Sequence, residues 1–114
     1  VSGLTITEDT VRGVAVMAPL GRIDSATAKE FETAALNRIA AGATRVVFDF
    51  AELNYISSAG LRVVLLAGKK LRAAGGALVL CALQPSIRDV FEISGFLGLF
   101  EVRENRDEAV DVAA

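Results

Sequence analysis

The sequence predicts an α/β fold: an N-terminal β-hairpin followed by parallel strands, with about four helices, in one mixed β-α superhelical sheet. Three observations predict it. Short, nearly continuous apolar runs, TRVVFDFAEL and ALVLCAL, have the composition of strands buried on both faces. Around them lie stretches whose apolar residues recur at helical spacing and end in glycine. The N-terminal segment LTITEDTVRGVAVMAPLG instead carries two Thr-, Ile- and Val-rich runs about a polar stretch, the pattern of a hairpin.

Taken in order, the hairpin strands are expected over about 4–8 and 13–20, with the turn at Glu8, Asp9 and Thr10. RIDSATAKEFETAALNRIAAG then switches to helical period. Phe31, Ala35 and Ile39 fall on one stripe, Asp24 or Ser25 can cap the start, and Gly42 closes the last turn. TRVVFDFAEL supplies the next strand, with Asp49 toward its C-terminal end. A helix follows from Ser57 to about Ala73, with Leu61, Val64, Leu65 and Leu71 on its apolar side and Gly75-Gly76 after it. ALVLCAL is another buried strand. Pro85 suits the first position of a helix whose face is Ile87, Val90 and Phe91 and whose stop is Gly95. LFEVR is a last strand, and Asn105 with Glu108 resembles a capping box for a short final helix.

The chain has 114 residues, the size of one domain over 1–114 with its own core. Its 12 basic and 14 acidic residues are scattered, so there is no electrostatic footprint for direct nucleic-acid binding. No apolar run is long enough for membrane insertion and no signal-peptide pattern is present. A single cysteine, Cys81, cannot form an internal disulfide, so the chain reads as cytoplasmic and Cys81 as a small core residue. Histidine is absent, which removes Ser-His-Asp triads, Cys-His pairs and His-containing zinc sites. The glycines form neither a G-x-x-x-x-G-K-[ST] loop nor a G-x-G-x-x-G turn. No cofactor or metal is expected.

In such sheets functional groups collect beyond the carboxyl ends of the strands, here in Gly21 to Thr27 and Ala51 to Gly60. Ser57 and Ser58 stand at the start of a helix, where one hydroxyl suffices to cap it. The second is left over, beside free amides and a dipole that favour negative charge, and a phosphate suits that position. Ser58, Arg62 and Lys69 project from overlapping sides of the helix, away from Leu61 and Leu65. Arg62, Lys69, Lys70 and Arg72 read as an ordinary solvated face rather than a dedicated phosphate clamp. Asp24 is as suited to capping as to function, and Gly60 to close packing at the helix entrance. Phe96 and Leu97 in SGFLGLF fit the core better than a docking patch.

GRIDSATA, VVFDFAELNYISSAGLRVVL and LCALQPSIRDVFEISGFLGLFEV, in this order and spacing, resemble the STAS domain of bacterial anti-sigma factor antagonists over nearly the whole chain. The resemblance implies a STAS-like superhelical sheet and a protein that is not an enzyme. In that family a serine in the pattern Asp-Ser-Ser/Thr-Gly-Leu is phosphorylated by a partner kinase that is also an anti-sigma factor. Matched on Gly60-Leu61, Ser58 takes the phosphorylated position, Ala59 the second hydroxyl position and Ser57 the acidic one, so the acidic residue is missing here. Asp24 and Asp49 match acidic or polar positions that shape the kinase-facing surface, with Ser57, Ala59, Gly60 and Arg62 completing the loop and partner-binding set. The partners implied are that serine-protein kinase and a serine phosphatase.

The expected function is partner switching: the unphosphorylated form binds the anti-sigma factor and frees a sigma factor or other target. Phosphate on Ser58 adds roughly −1.5 to −2 charges and disrupts that interface by desolvation and by repulsion from carboxylates such as Asp24. A penalty of about 3 kcal/mol weakens binding ~100-fold. The alternative is a STAS scaffold or accessory subunit of a transporter or sensory complex, with Ser58 serving only as a cap. A Ser58–Lys69 hydrolase is disfavoured, because Lys69 lies about three turns along the same helix, roughly 16 Å away.

Overall fold

The computed structural model describes residues 4–114. Their order is β1 (Leu4–Val11), β2 (Val14–Ile23), α1 (Ala28–Ala40), β3 (Arg45–Asp49), β4 (Leu53–Ile56), α2 (Ser58–Ala73), β5 (Ala77–Cys81), α3 (Pro85–Ile93), a 3₁₀ turn (Leu97–Leu99), β6 (Glu101–Arg103) and α4 (Arg106–Ala113). The mixed α/β class, the N-terminal hairpin and the four helices agree with expectation.

Three details differ from the sequence reading. The hairpin turn lies at Arg12 and Gly13, whose φ angles of 51° and 79° are those of a two-residue turn that twists with its strands. Glu8, Asp9 and Thr10 are instead strand residues of exposed β1. An additional strand, β4, stands between β3 and α2, where the sequence reading placed a single strand in TRVVFDFAEL followed directly by the helix from Ser57. The last strand keeps only Glu101–Arg103 of LFEVR, because Leu99 belongs to the 3₁₀ turn.

The sheet runs β1-β2-β3-β5-β6, with β4 also on β2. Among the described residues, only the β1–β2 pairing is antiparallel. β3 pairs with Ala15–Met17 of β2 and β4 with Gly21–Ile23, so the two strands follow one another along one partner, across a register shift at Gly21/Arg22. That shift carries the chain to the carboxyl end of β2, where Ile23 lies beside Ile56.

Alternation along the strands divides the interior in two. Ala15, Met17, Val46, Phe48 and Leu80 pack with Phe31 of α1, Leu61, Val64 and Leu71 of α2, and Ile87 and Phe91 of α3. Val14, Val16, Val47, Val79 and Cys81 face the other way, onto Ala109, Val110 and Ala113 of α4. Through the larger half run tilted or edge-on ring contacts, Phe31–Phe48–Phe50–Phe91–Phe100, with centroids 5.0 to 6.3 Å apart. Each such pair adds about 0.5–1.5 kcal/mol beyond its buried area.

The helix ends follow from local chemistry. α1, α2 and α3 stop where Gly42, Gly75 and Gly95 adopt φ of 107°, 75° and 76°. In α2 the Gly75 and Gly76 amides then turn back to the Arg72 and Leu71 carbonyls, satisfying groups the helix leaves open. Pro85 opens α3, and Asn105 caps α4 by accepting from the Glu108 amide at 2.9 Å. Among the described residues, no helix is long and apolar enough to cross a membrane.

Candidate functional site

The carboxyl ends of β2 and β4 lie side by side, and each leads into a helix. This brings together the two segments singled out from the sequence, Gly21–Thr27 and Ala51–Gly60. The Ser57 amide donates to the Ile23 carbonyl at 2.8 Å, which ties the start of α2 to the end of β2. Gly60 makes the junction close. A methyl group there would lie 2.7 Å from both Ile23 Cγ2 and Ile56 Cγ1, atoms near the stiff branch points of packed side chains.

The two serines have separate positions. Ser57 is the N-cap of α2: its backbone is extended and its hydroxyl accepts from the Gly60 amide at 3.3 Å. Ser58 is the first residue of the helix and is exposed. Neither the hydrogen bonds nor the ion pairs among the described residues engage its hydroxyl. One serine caps the helix and the other is exposed, its hydroxyl without a partner among the described residues. Arg62 stands one turn further along α2, exposed like Ser58, while Ala59 is half-buried. Lys69 lies exposed toward the far end of the same helix.

Asp24 organises the neighbouring turn. Its Oδ1 accepts from the Ala26 and Thr27 amides at 2.9 and 3.0 Å, and its own amide donates to the Thr27 hydroxyl. α1 accordingly starts later than a cap at Asp24 or Ser25 would place it, at Ala28 with Thr27 before it. Partial burial raises the Asp24 pKa. The Thr27 and Ala26 amides, the Thr27 hydroxyl and the Arg22 charge outweigh that effect, so the carboxyl is held below its ordinary value. Arg22, 3.9 Å from Asp24, also lies 4.3 Å from the centre of the half-exposed Tyr55 ring. Tyr55 and Arg22 are surface features that the sequence reading missed, because their juxtaposition depends on β4.

Asp49 belongs to a different surface. It shares the face of β3 that carries Val47, toward α4, and its Oδ2 accepts from Arg106 Nε at 2.8 Å. Its Oδ1 accepts from the Ala51 amide at 3.0 Å. The structure therefore brings Asp24, Ser57, Ser58, Ala59, Gly60 and Arg62 to one end of α1 and α2, and places Asp49 on the α4 side of the sheet. A groove of about 350 Å³ runs between α1 and α2, lined by Ala28, Lys29, Glu32, Ala59, Arg62 and Leu66 among others. Lys29 and Glu32, which sequence reasoning also missed, form a pair at 4.0 Å on its α1 side.

Cys81 is fully buried on β5. Burial chiefly, with the nearby Asp49 charge, pushes its thiol up to about 12 against the smaller opposing effect of Arg106. Phe96 and Leu97 are partly buried against the larger core, in agreement with the reading from sequence.

Comparison with known proteins matches this arrangement to a family. The anti-sigma factor antagonist BtrV of Bordetella bronchiseptica is 46% identical over 106 residues, covering 93% of this chain and 91% of that protein. The anti-sigma factor antagonist SpoIIAA in its unphosphorylated form superposes with a TM-score of 0.82 at 25% identity, covering 95% of each chain. The phosphorylated form of the Bacillus cell fate determinant SpoIIAA gives 0.76 at 25% identity, covering 96% of this chain and 100% of that one. The STAS domain model matches residues 5–109, nearly the whole of the described sheet and its helices, and the chain belongs to the STAS domain family.

Proposed function

We propose that this chain is an anti-sigma factor antagonist whose exposed Ser58 is the switch. Unmodified, it docks on an anti-sigma factor that is also a serine kinase and releases a sigma factor or another target. Phosphorylated at Ser58, it lets go, and a serine phosphatase restores it. The domain over 1–114 acts in the cytoplasm as a phosphoacceptor and not as an enzyme, with no cofactor of its own.

The observation that carries this reading is the division of labour at the start of α2. Ser57 already caps the helix, so Ser58 is exposed with a hydroxyl that the fold does not use. A substrate serine needs no base beside it, because the kinase supplies ATP, Mg²⁺ and the catalytic residue. The names of the relatives support the same role. Asp24, Ala59, Gly60 and Arg62 border the docking surface, with Ser57 holding the helix start; Asp49, on the α4 side of the sheet, acts on it only at a distance, by fixing the Ala51 amide in the turn between β3 and β4.

Two measurements test it. Peptide-mapping mass spectrometry of the protein from its native cells, in growth and in stress, should find phosphate at Ser58 that varies with condition, and none at Ser57. Binding to the cognate kinase should survive Ser58→Ala and fall by about 100-fold in Ser58→Asp, the equivalent of ~3 kcal/mol. Equal binding by the two variants would sink the switch.

A further inference from the structure

We infer that Arg62 is the intramolecular counter-ion of the phosphoryl group on Ser58, an inference that rests on Ser58 being the modified residue. Ser58 and Arg62 are four apart on α2, so their Cβ atoms lie about 5–6 Å from one another on one face. Side chains of a helix lean toward its N-terminus, so an arginine at position 62 is long enough to reach back over the turn that carries Ser58. Both residues are exposed.

The surrounding charges leave Arg62 available. Among the described residues its guanidinium takes part in none of the ion pairs or side-chain hydrogen bonds. Glu32, the acid lining the same groove, pairs with Lys29 at 4.0 Å. The first turn of α2 contains no acidic residue, and Ser57 stands at the position immediately before Ser58. A phosphate on Ser58 thus meets a free planar cation with no carboxylate beside it on the helix, and Asp24 in the neighbouring turn has its own cation, Arg22, at 3.9 Å. Guanidinium presents paired N–H donors that match two phosphate oxygens. Lys69, about three turns along the helix from Ser58, is too distant to substitute.

Pairing has two consequences. Arg62 stabilises the phosphate dianion over the monoanion, which lowers the second phosphate pKa from its usual value of about 6. It also withdraws the guanidinium from the groove between α1 and α2, so one modification alters two parts of the docking surface: a negative charge appears at Ser58 and a free positive charge disappears beside it.

The test uses the full chain with phosphoserine installed at position 58 during translation, which needs no kinase, and follows the phosphate by ³¹P NMR as pH is varied. Arg62→Gln should raise the phosphate pKa by a few tenths of a unit relative to the parent, Arg62→Lys should restore part of the difference, and Lys69→Gln should leave the parent value. Arg62 is exposed, so these substitutions leave the core intact. A parent and an Arg62→Gln protein with the same pKa would overturn the pairing, as would an equal shift in Lys69→Gln, which would mark a general effect of net charge. Failure of the underlying switch is told apart by its own result, an unmodified Ser58 in native cells.

Discussion

At the scale of single residues, the junction between β4 and α2 separates a structural hydroxyl from a free one. Removing the Ser57 cap leaves the Gly60 amide without its protein acceptor, a loss of about 1 kcal/mol in typical helices. The Ser58 hydroxyl has no role in the fold, and exposed substitutions of that kind stay within about 0.5 kcal/mol. Urea denaturation should therefore show Ser57→Ala less stable than the parent and Ser58→Ala close to it; the reverse order would mean that the cap is misassigned. This pair of roles was half legible in the sequence. Adjacent serines at a helix start imply one cap and one spare, and the Gly60-Leu61 match pointed to Ser58 as the spare. Residue type alone could not choose between them, because either serine can adopt the extended backbone of an N-cap. The choice is made by where the helix begins, and that is fixed when the Ser57 amide bonds the Ile23 carbonyl across the sheet.

At the scale of elements, what was missed is what depends on a distant partner. β4 has only four residues, two of them exposed, so LNYI carries neither a long apolar run nor a full alternation. Its strand character comes from the edge of β2. The hairpin turn was misplaced for a related reason: an exposed strand tolerates Glu8, Asp9 and Thr10, so polarity did not mark the turn, whereas the backbone requirement at Arg12 and Gly13 did. α4 was legible from its cap, yet the means of its docking were not. It is held by small apolar residues and by polar ties from separate elements. Arg12 in the hairpin pairs with Asp111, Arg45 of β3 donates to the Ala113 carbonyl, and Arg106 pairs with Asp49. Asp49 is mostly buried and Arg106 half-exposed, so the two halves of that pair are unequal. Arg106→Ala leaves a buried carboxylate with a single amide donor and should cost about 1–3 kcal/mol. Asp49→Asn leaves a half-exposed arginine that water can reach and should cost less. A double-mutant cycle by chemical denaturation should give a coupling between the opposite charges; additive losses would show that this pair does not contribute to holding α4.

At the scale of the whole molecule, the fold class was legible because β2, β3 and β5 are buried on both faces, which leaves a nearly continuous apolar signal in sequence. The same two-sided burial couples global stability to pH through Cys81. Its thiol is packed between β5 and α4 and pushed up to about 12, against 9.0 for an ordinary thiol. Between those values the unfolded chain releases the proton and the folded chain retains it. The unfolded state then binds fewer protons, so stability is complete below pH 9 and falls as pH rises toward 12. The size of the effect is a few kcal/mol at most, by the usual conversion of pKa units. Cys81→Ala removes the titrating group at the cost of a small cavity, which makes the variant less stable near neutrality. The rest of the chain is common to both proteins and cancels in the difference. The stability gap between parent and variant should therefore narrow steadily above pH 9, measured by denaturant unfolding at several pH values. A gap that stays constant to pH 11 would mean that the folded thiol ionises in place, and that water reaches the layer between the sheet and α4 without the molecule opening. Closure of the gap would instead tie access to Cys81 to global unfolding, and thiol labelling would then report the stability of the entire sheet.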